Sequence, residues 1–168
     1  MFIWKYIEIP QKDIELIQEE FKKLIPSNDY FFQDVRINLF EFMGMKLLHP
    51  VLIQVPPMYG LNDNGIHVDI RHGNENGRLA INIPLENCEG SITKFWKTDK
   101  PVVVKRTPNG YPYSHFKPEE CEQISEFRLT SPIIFDTDIP HSVTNLQPTW
   151  RRAISLRFAE DPWHLIGP

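Results

Sequence analysis

A chain of 168 residues that is 41% hydrophobic and 24% charged suits a single domain, residues 1–168, with one core of its own. A net charge of −4 and a pI near 5.9 leave it without a basic field to hold a phosphate backbone, so composition offers nothing to a nucleic-acid partner. Two cysteines, Cys88 and Cys121, without CxxC spacing exclude a zinc ribbon and a disulfide framework and fit reduced thiols in a cytoplasmic protein.

The amino-terminal run from Met1 to Pro10 carries charge among its apolar residues and lacks the h-region of a signal peptide. No stretch approaches the roughly 18 apolar residues that span a bilayer, so the expectation is a soluble protein with no membrane partner. Next, Ile14, Ile17, Phe21, Leu24 and Ile25 recur at helical intervals from Gln11 onward, acidic residues come first and Lys22 and Lys23 last, and Pro26 stops the run. This predicts an amphipathic helix that covers one face of a sheet. Residues 1–50 therefore read as this helix plus an irregular, aromatic-rich connection over 30–45.

From residue 51 the pattern changes to short β-type runs punctuated by turns, in keeping with 15 prolines against 8 glycines. Eight runs are predicted, at 51–55, 66–70, 78–84, 91–97, 123–130, 132–136, 141–145 and 151–158. The segments 62–65, 73–77 and 86–90 are turn-forming, and 98–122 reads as a long surface loop with one helical turn near Pro118. The fold class is mainly β, with a core over 51–158, an N-terminal supporting helix and a tail over 159–168.

Strand parity locates the chemistry. His67 and Asp69 are two apart, so on a strand both side chains leave the same face and can converge on one ion. The best third ligand is His141, roughly 70 residues later at the start of another apolar run. Two imidazoles and a carboxylate suit Fe(II), although zinc, cobalt or manganese use the same donors. Alone, an HxD pair is a weak signal, more often a solvated turn; the order HxD, lone His, then Arg gives it weight. His49, His72, His115 and His164 read better as connection, loop or surface residues. In 78–84, Leu79, Ile81 and Ile83 share one face while Arg78, Ala80 and Asn82 share the other. In 151–158, Arg151, Ala153, Ser155 and Arg157 oppose Arg152, Ile154, Leu156 and Phe158, so both faces begin with arginine and parity alone does not choose between them.

His67-Val-Asp69 together with His141-Ser-Val-Thr-Asn-Leu-Gln-Pro-Thr-Trp-Arg151-Arg-Ala-Ile-Ser155 resembles the 2-oxoglutarate and Fe(II)-dependent oxygenases of the double-stranded β-helix (jelly-roll, cupin-like) fold, over residues 51–158. The resemblance implies about eight core strands, with His67, Asp69 and His141 holding Fe(II). It implies that 2-oxoglutarate chelates the metal, that O₂ is activated there, and that a substrate is hydroxylated with release of succinate and CO₂. A basic residue nine to eleven positions after the second histidine binds the distal carboxylate in that family, and Arg151 and Arg152 both fit. Trp150-Arg151-Arg152-Ala-Ile-Ser resembles the phytanoyl-CoA hydroxylase segment, which favours Arg151, with Ser155 on the same face as a further donor. Other segments resemble other branches: His67 to Arg78 the prolyl hydroxylases, and Arg78 to Leu85 the aspartyl/asparaginyl β-hydroxylases. Where prolyl-hydroxylase-like members place a tyrosine near the co-substrate, this chain offers Asn82. The expected substrate is a peptide side chain or a small molecule. The alternatives are a non-catalytic cupin-like binding module and a zinc hydrolase.

Overall fold

The spacing of Ile14, Ile17 and Phe21 produces helix α1 (Gln11–Lys22), with Asp13 in its first turn and Lys22 in its last, each matched to the helix dipole. Ile17 is fully buried in one core cluster with Leu52, Ile81, Ile154 and Leu156, a burial worth about 1.5–3 kcal/mol. The computed structural model describes residues 1–24, 32–34, 41–63, 65–70, 78–106 and 112–165, with only the backbone described at 32–34 and 49. The predicted helix end at Ile25, most of the connection over 30–45, His72 and the turn at 73–77 lie outside the described residues.

Thirteen strands follow in chain order among the described residues: β1 (Trp4–Tyr6), β2 (Phe32–Asp34), β3 (Glu41–Phe42), β4 (Met45–Val55), β5 (His67–Val68), β6 (Leu79–Glu86), β7 (Ser91–Lys97), β8 (Lys105–Arg106), β9 (Pro112–His115), β10 (Glu122–Arg128), β11 (Ile133–Asp136), β12 (His141–Asn145) and β13 (Arg151–Phe158). One sheet runs β1-β11-β6-β13-β4-β2, with β3 on β4; the other runs β10-β7-β12-β5-β9-β8. Every strand pair described is antiparallel. Counting only β4, β5, β6, β7, β10, β11, β12 and β13, the first sheet contains the first, eighth, third and sixth strands, and the second the second, seventh, fourth and fifth. Successive strands thus alternate between sheets except at the fourth and fifth, which pair with each other in the second sheet, and this is the winding of a double-stranded β-helix, a jelly-roll form.

Each strand's alternation sorts its residues between two cores. Leu79, Ile81 and Ile83 of β6 and Ile154, Leu156 and Phe158 of β13 face α1. Ala80 of β6 and Ala153 of β13 turn inward, towards Phe95, Phe127 and Phe135. A third cluster, Ile66, Val68, Trp96 and Phe116, covers the outside of the second sheet. The interior between the sheets is where the polar residues of the inner faces collect.

Several predicted boundaries need correction. The run at 66–70 contracts to the two residues of β5, and Asp69 lies past its end, where its N–H donates to the Thr137 carbonyl at 3.3 Å. Residues 1–50 supply β1, β2, β3 and the first part of β4 as well as the helix. The surface loop at 98–122 contains β8 and β9, which extend the second sheet, and its helical turn is a 3-10 turn at Pro118–Glu120. No helix among the described residues is long and apolar enough to cross a membrane.

Two local devices fix the connections that frame the interior. Gly60, at φ +71°, lets the β4–β5 loop press on β12, and a Cβ there would sit 2.5 Å from the Val143 carbonyl oxygen. The side-chain amide of Asn145, fully buried, donates to the carbonyls of Pro56 at 2.9 Å and Thr149 at 2.8 Å, while its oxygen accepts from the Gln147 N–H at 3.1 Å. That clasp ties the end of β4 to the β12–β13 turn and so sets where β13 begins.

Candidate functional site

His67 and His141 are direct cross-strand partners on β5 and β12, and their rings lie 4.5 Å apart. Asp69 comes back over them from the loop after β5. Its Oδ1 is 3.5 Å from His67 Nε2 and 3.8 Å from His141 Nε2. One donor atom from each of the three residues lies within 4.8 Å of the others. Three donors about 2.1 Å from a common ion lie roughly 3–3.5 Å apart, so the two histidine–aspartate separations are within a few tenths of an ångström of what a first-row divalent ion needs.

The tautomers agree with that role. His67 Nδ1 is 2.7 Å from the Gly65 carbonyl and His141 Nδ1 is 2.9 Å from the Ile139 carbonyl. A carbonyl only accepts, so each Nδ1 carries a proton, and in the neutral imidazole the lone pair is on Nε2, the nitrogen on the side of Asp69 Oδ1. Such outward N–H···O=C bonds hold metal-binding imidazoles in orientation.

Asp69 is shared. While Oδ1 faces the histidines, Oδ2 accepts from Arg157 Nη2, on the inner face of β13. Sequence parity placed Arg157 on that face but gave it no role; no local signal links residues 88 positions apart. The pair leaves one carboxylate oxygen for an ion and keeps the other occupied by a guanidinium.

Six residues earlier on the same face, Arg151 is 1% exposed. Its Nε and Nη1 have no hydrogen-bond partner, and among the described residues no carboxylate pairs with it. The Cys88 thiol lies beside the guanidinium and is bonded to the Arg152 and Glu86 carbonyls, at 3.0 and 3.4 Å. Ser155, also on this face, is paired in register with Asn82 on β6, and Ser155 Oγ and Asn82 Oδ1 are likewise buried without partners. Arg152 takes the opposite face, where it bonds Gln54 and Glu86. The choice that parity left open falls to Arg151 as the interior residue.

No family model matches the chain. A stretch of 54 residues, 31% of the chain, is 43% identical to E3 ubiquitin-protein ligase UHRF1 of Xenopus laevis and spans only 7% of that protein. Among solved structures, AviO1 from Streptomyces viridochromogenes Tue57 is 12% identical, with a TM-score of 0.44 over 95% of this chain and 90% of that one. EvdMO1 is also 12% identical, with a TM-score of 0.37 over 95% of this chain and 47% of that one. The fold assignment rests on the strand order, not on these likenesses.

Protonation follows from the same contacts. Burial and the neighbouring His67 push the His141 imidazole down to about 4. Burial alone would raise the Asp69 carboxyl, but Arg157 and the two histidines outweigh it and hold the group well below the usual carboxylate range. Burial lowers His67 too, yet the hydrogen bond and charge of Asp69 carry its net shift upward. Near neutral pH Asp69 is ionised and His141 neutral, so of the three donors His67 is the one at which a proton competes most with an ion. Burial depresses the Arg151 guanidinium and raises the Cys88 thiol; an arginine stays charged regardless, and the thiol stays protonated.

The remaining sequence candidates are accounted for. Arg78 pairs with buried Asp136 and lies over the Trp163 ring, a structural contact. His164 and His115 are exposed, as their surface reading has it, and His115 also faces His67 across β5 and β9, beside the centre. Cys88 and Cys121 are free thiols.

Proposed function

We propose that this chain is a 2-oxoglutarate- and Fe(II)-dependent oxygenase that hydroxylates a small molecule or a peptide side chain. The observation that carries the reading is the pairing, inside one β-helix, of a His-Asp-His donor set with a buried arginine that has no carboxylate of its own. A desolvated cation left unpaired costs several kcal/mol, a cost that a bound anion would offset. The guanidinium fork matches a carboxylate with two parallel charge-assisted bonds.

In this reading Nε2 of His67, Nε2 of His141 and Oδ1 of Asp69 hold the metal. When bound, iron with 2-oxoglutarate and O₂ supplies oxidative decarboxylation to succinate and CO₂, coupled to hydroxylation of a substrate carbon. The chain's own work is placement. Arg157 keeps Asp69 ionised and fixes its Oδ2, so the carboxylate offers a single oxygen. Arg151 takes the distal carboxylate of the co-substrate, with Ser155 Oγ–H as a second donor and Asn82 as a polar neighbour. Phe95 and Phe135, whose rings lie 6.1 and 5.4 Å from that of His141, exclude water from the inner side of the centre.

The test is succinate release from 2-oxoglutarate by the Fe(II)-loaded protein in air, with a panel of candidate substrates. The expected result is succinate that requires both iron and O₂ and disappears in His141→Ala. Hydrolysis of ester or amide substrates by the zinc-loaded protein without 2-oxoglutarate would replace this reading by a hydrolase. Metal binding without turnover of any kind would leave a cupin-like binding module.

A further inference from the structure

The inner face of the second sheet carries a continuous row of side chains that the metal centre does not use up. Antiparallel register puts Phe95 opposite His141, His141 opposite His67, and His67 opposite His115. Tyr113 lies two residues before His115 on the same face of β9, and Lys105 on β8 is its cross-strand partner. The row is graded in exposure: Phe95 is fully buried, His141 is 5% exposed, His67 is half-buried, and His115 and Lys105 are exposed. Among the described residues β8 ends this sheet, so along the row the centre opens to solvent at the β9–β8 end.

Rings line that opening. His115 meets His67 edge-on at 6.3 Å, and Tyr113 is tilted against His115 at 5.0 Å. Beyond them comes charge. Lys105 and Arg106 make up β8, and the sequence holds no acid between Lys100 and Lys117. Among the described residues no carboxylate forms an ion pair with Lys105. The approach to the centre is therefore aromatic next to the metal ligands and cationic at its outer edge.

We infer that Tyr113, His115 and Lys105 form the substrate-binding wall, and that the substrate is an oxyanion, a carboxylate or phosphate ester, whose charge meets Lys105 and whose flat or apolar body lies on the two rings. Electrostatic focusing at a mouth of one sign raises the local concentration of the opposite charge, and ring stacking orients the body towards the centre. The inference rests on the oxygenase reading only for where the reacting carbon goes; the binding itself does not need iron.

The test uses metal-free protein and three probes of one shape: benzoate, phenyl phosphate and neutral benzamide, followed through the Tyr113 and His115 ring resonances by NMR. Benzoate and phenyl phosphate are expected to shift both rings and to bind at least tenfold more tightly than benzamide, with that preference lost in Lys105→Gln. Because Lys105 is exposed, the variant keeps its fold, which the unchanged remainder of the spectrum checks. Preference for benzoate alone assigns a carboxylate, and for phenyl phosphate alone a phosphate ester; either supports the wall. Equal binding of benzamide, a preference that survives Lys105→Gln, or shifts that spare both rings would overturn it. Ring shifts in a protein that never releases succinate would keep the wall and reject the oxygenase reading, so the two failures are separable.

Discussion

The two ends of β13 place the same side chain in opposite situations. At one end Arg157 points inward and bonds Asp69 Oδ2; at the other Arg151, on the same face and more deeply buried, meets no carboxylate among the described residues. A buried guanidinium that serves only the fold is expected to look like Arg157, because a desolvated charge without a partner destabilises. Arg151 instead is buried with two nitrogens unpartnered, which fits the proposed role of a binding residue held at a cost to stability. The metal end is electrostatically closed within the protein, whereas the deep end is not.

Truncation of each arginine separates the two roles, and this is the largest contrast expected. Arg157→Met leaves Asp69 without its cation and should lower the unfolding free energy in urea by about 1–2 kcal/mol, a figure reduced by the partial exposure of the pair. Arg151→Met replaces an unpaired buried charge by a flexible apolar chain of similar length and should raise the same quantity by about 1–3 kcal/mol. Both falling together would mean that Arg151 is structural and that the comparison fails.

A smaller effect concerns protons. His67 is raised above its ordinary 6.5, so below that raised value the ligand is protonated and an incoming ion must displace a proton; above it there is none to displace. Metal affinity should therefore fall about tenfold per pH unit on the acid side and level off on the alkaline side. Calorimetry in buffers of different ionisation enthalpy should record a proton release on metal binding that diminishes as the pH rises. Stability of the metal-free protein has its own window: His141 is depressed from 6.5 to about 4, so its contribution is present above 6.5 and lost as pH falls towards 4.

The sequence was most legible where one strand's alternation spans its full length. β12 and β13 have the predicted limits because five and eight consecutive residues are paired and their faces are covered. Arg151 and Arg152 were equivalent by parity; the tie breaks only because Ile154 and Leu156 meet Ile17 of the helix, which turns the other face inward. β5, by contrast, is two residues long, and its neighbour β9 is rich in residues that read as loop, so both depend on partners distant in the chain. The convergence of His67 and Asp69 survives although Asp69 is outside the strand, since the Thr137 carbonyl holds its backbone in place of a strand partner. Nothing local announces that Arg157 reaches Asp69, or that His115 and Tyr113 line up beside His67. The first contact exists only once the two sheets have come together, and the second only once β9 has paired with β5.

In the proposed function Arg151 binds the far carboxylate of a metal-chelating keto acid. The most direct test is a calorimetric titration of 2-oxoglutarate into Mn(II)-loaded wild type and Arg151→Met under argon. The account predicts one site in the wild type and at least a hundredfold weaker binding in the variant, with Mn(II) affinity unchanged. Equal affinity for 2-oxoglutarate in the two proteins would contradict it.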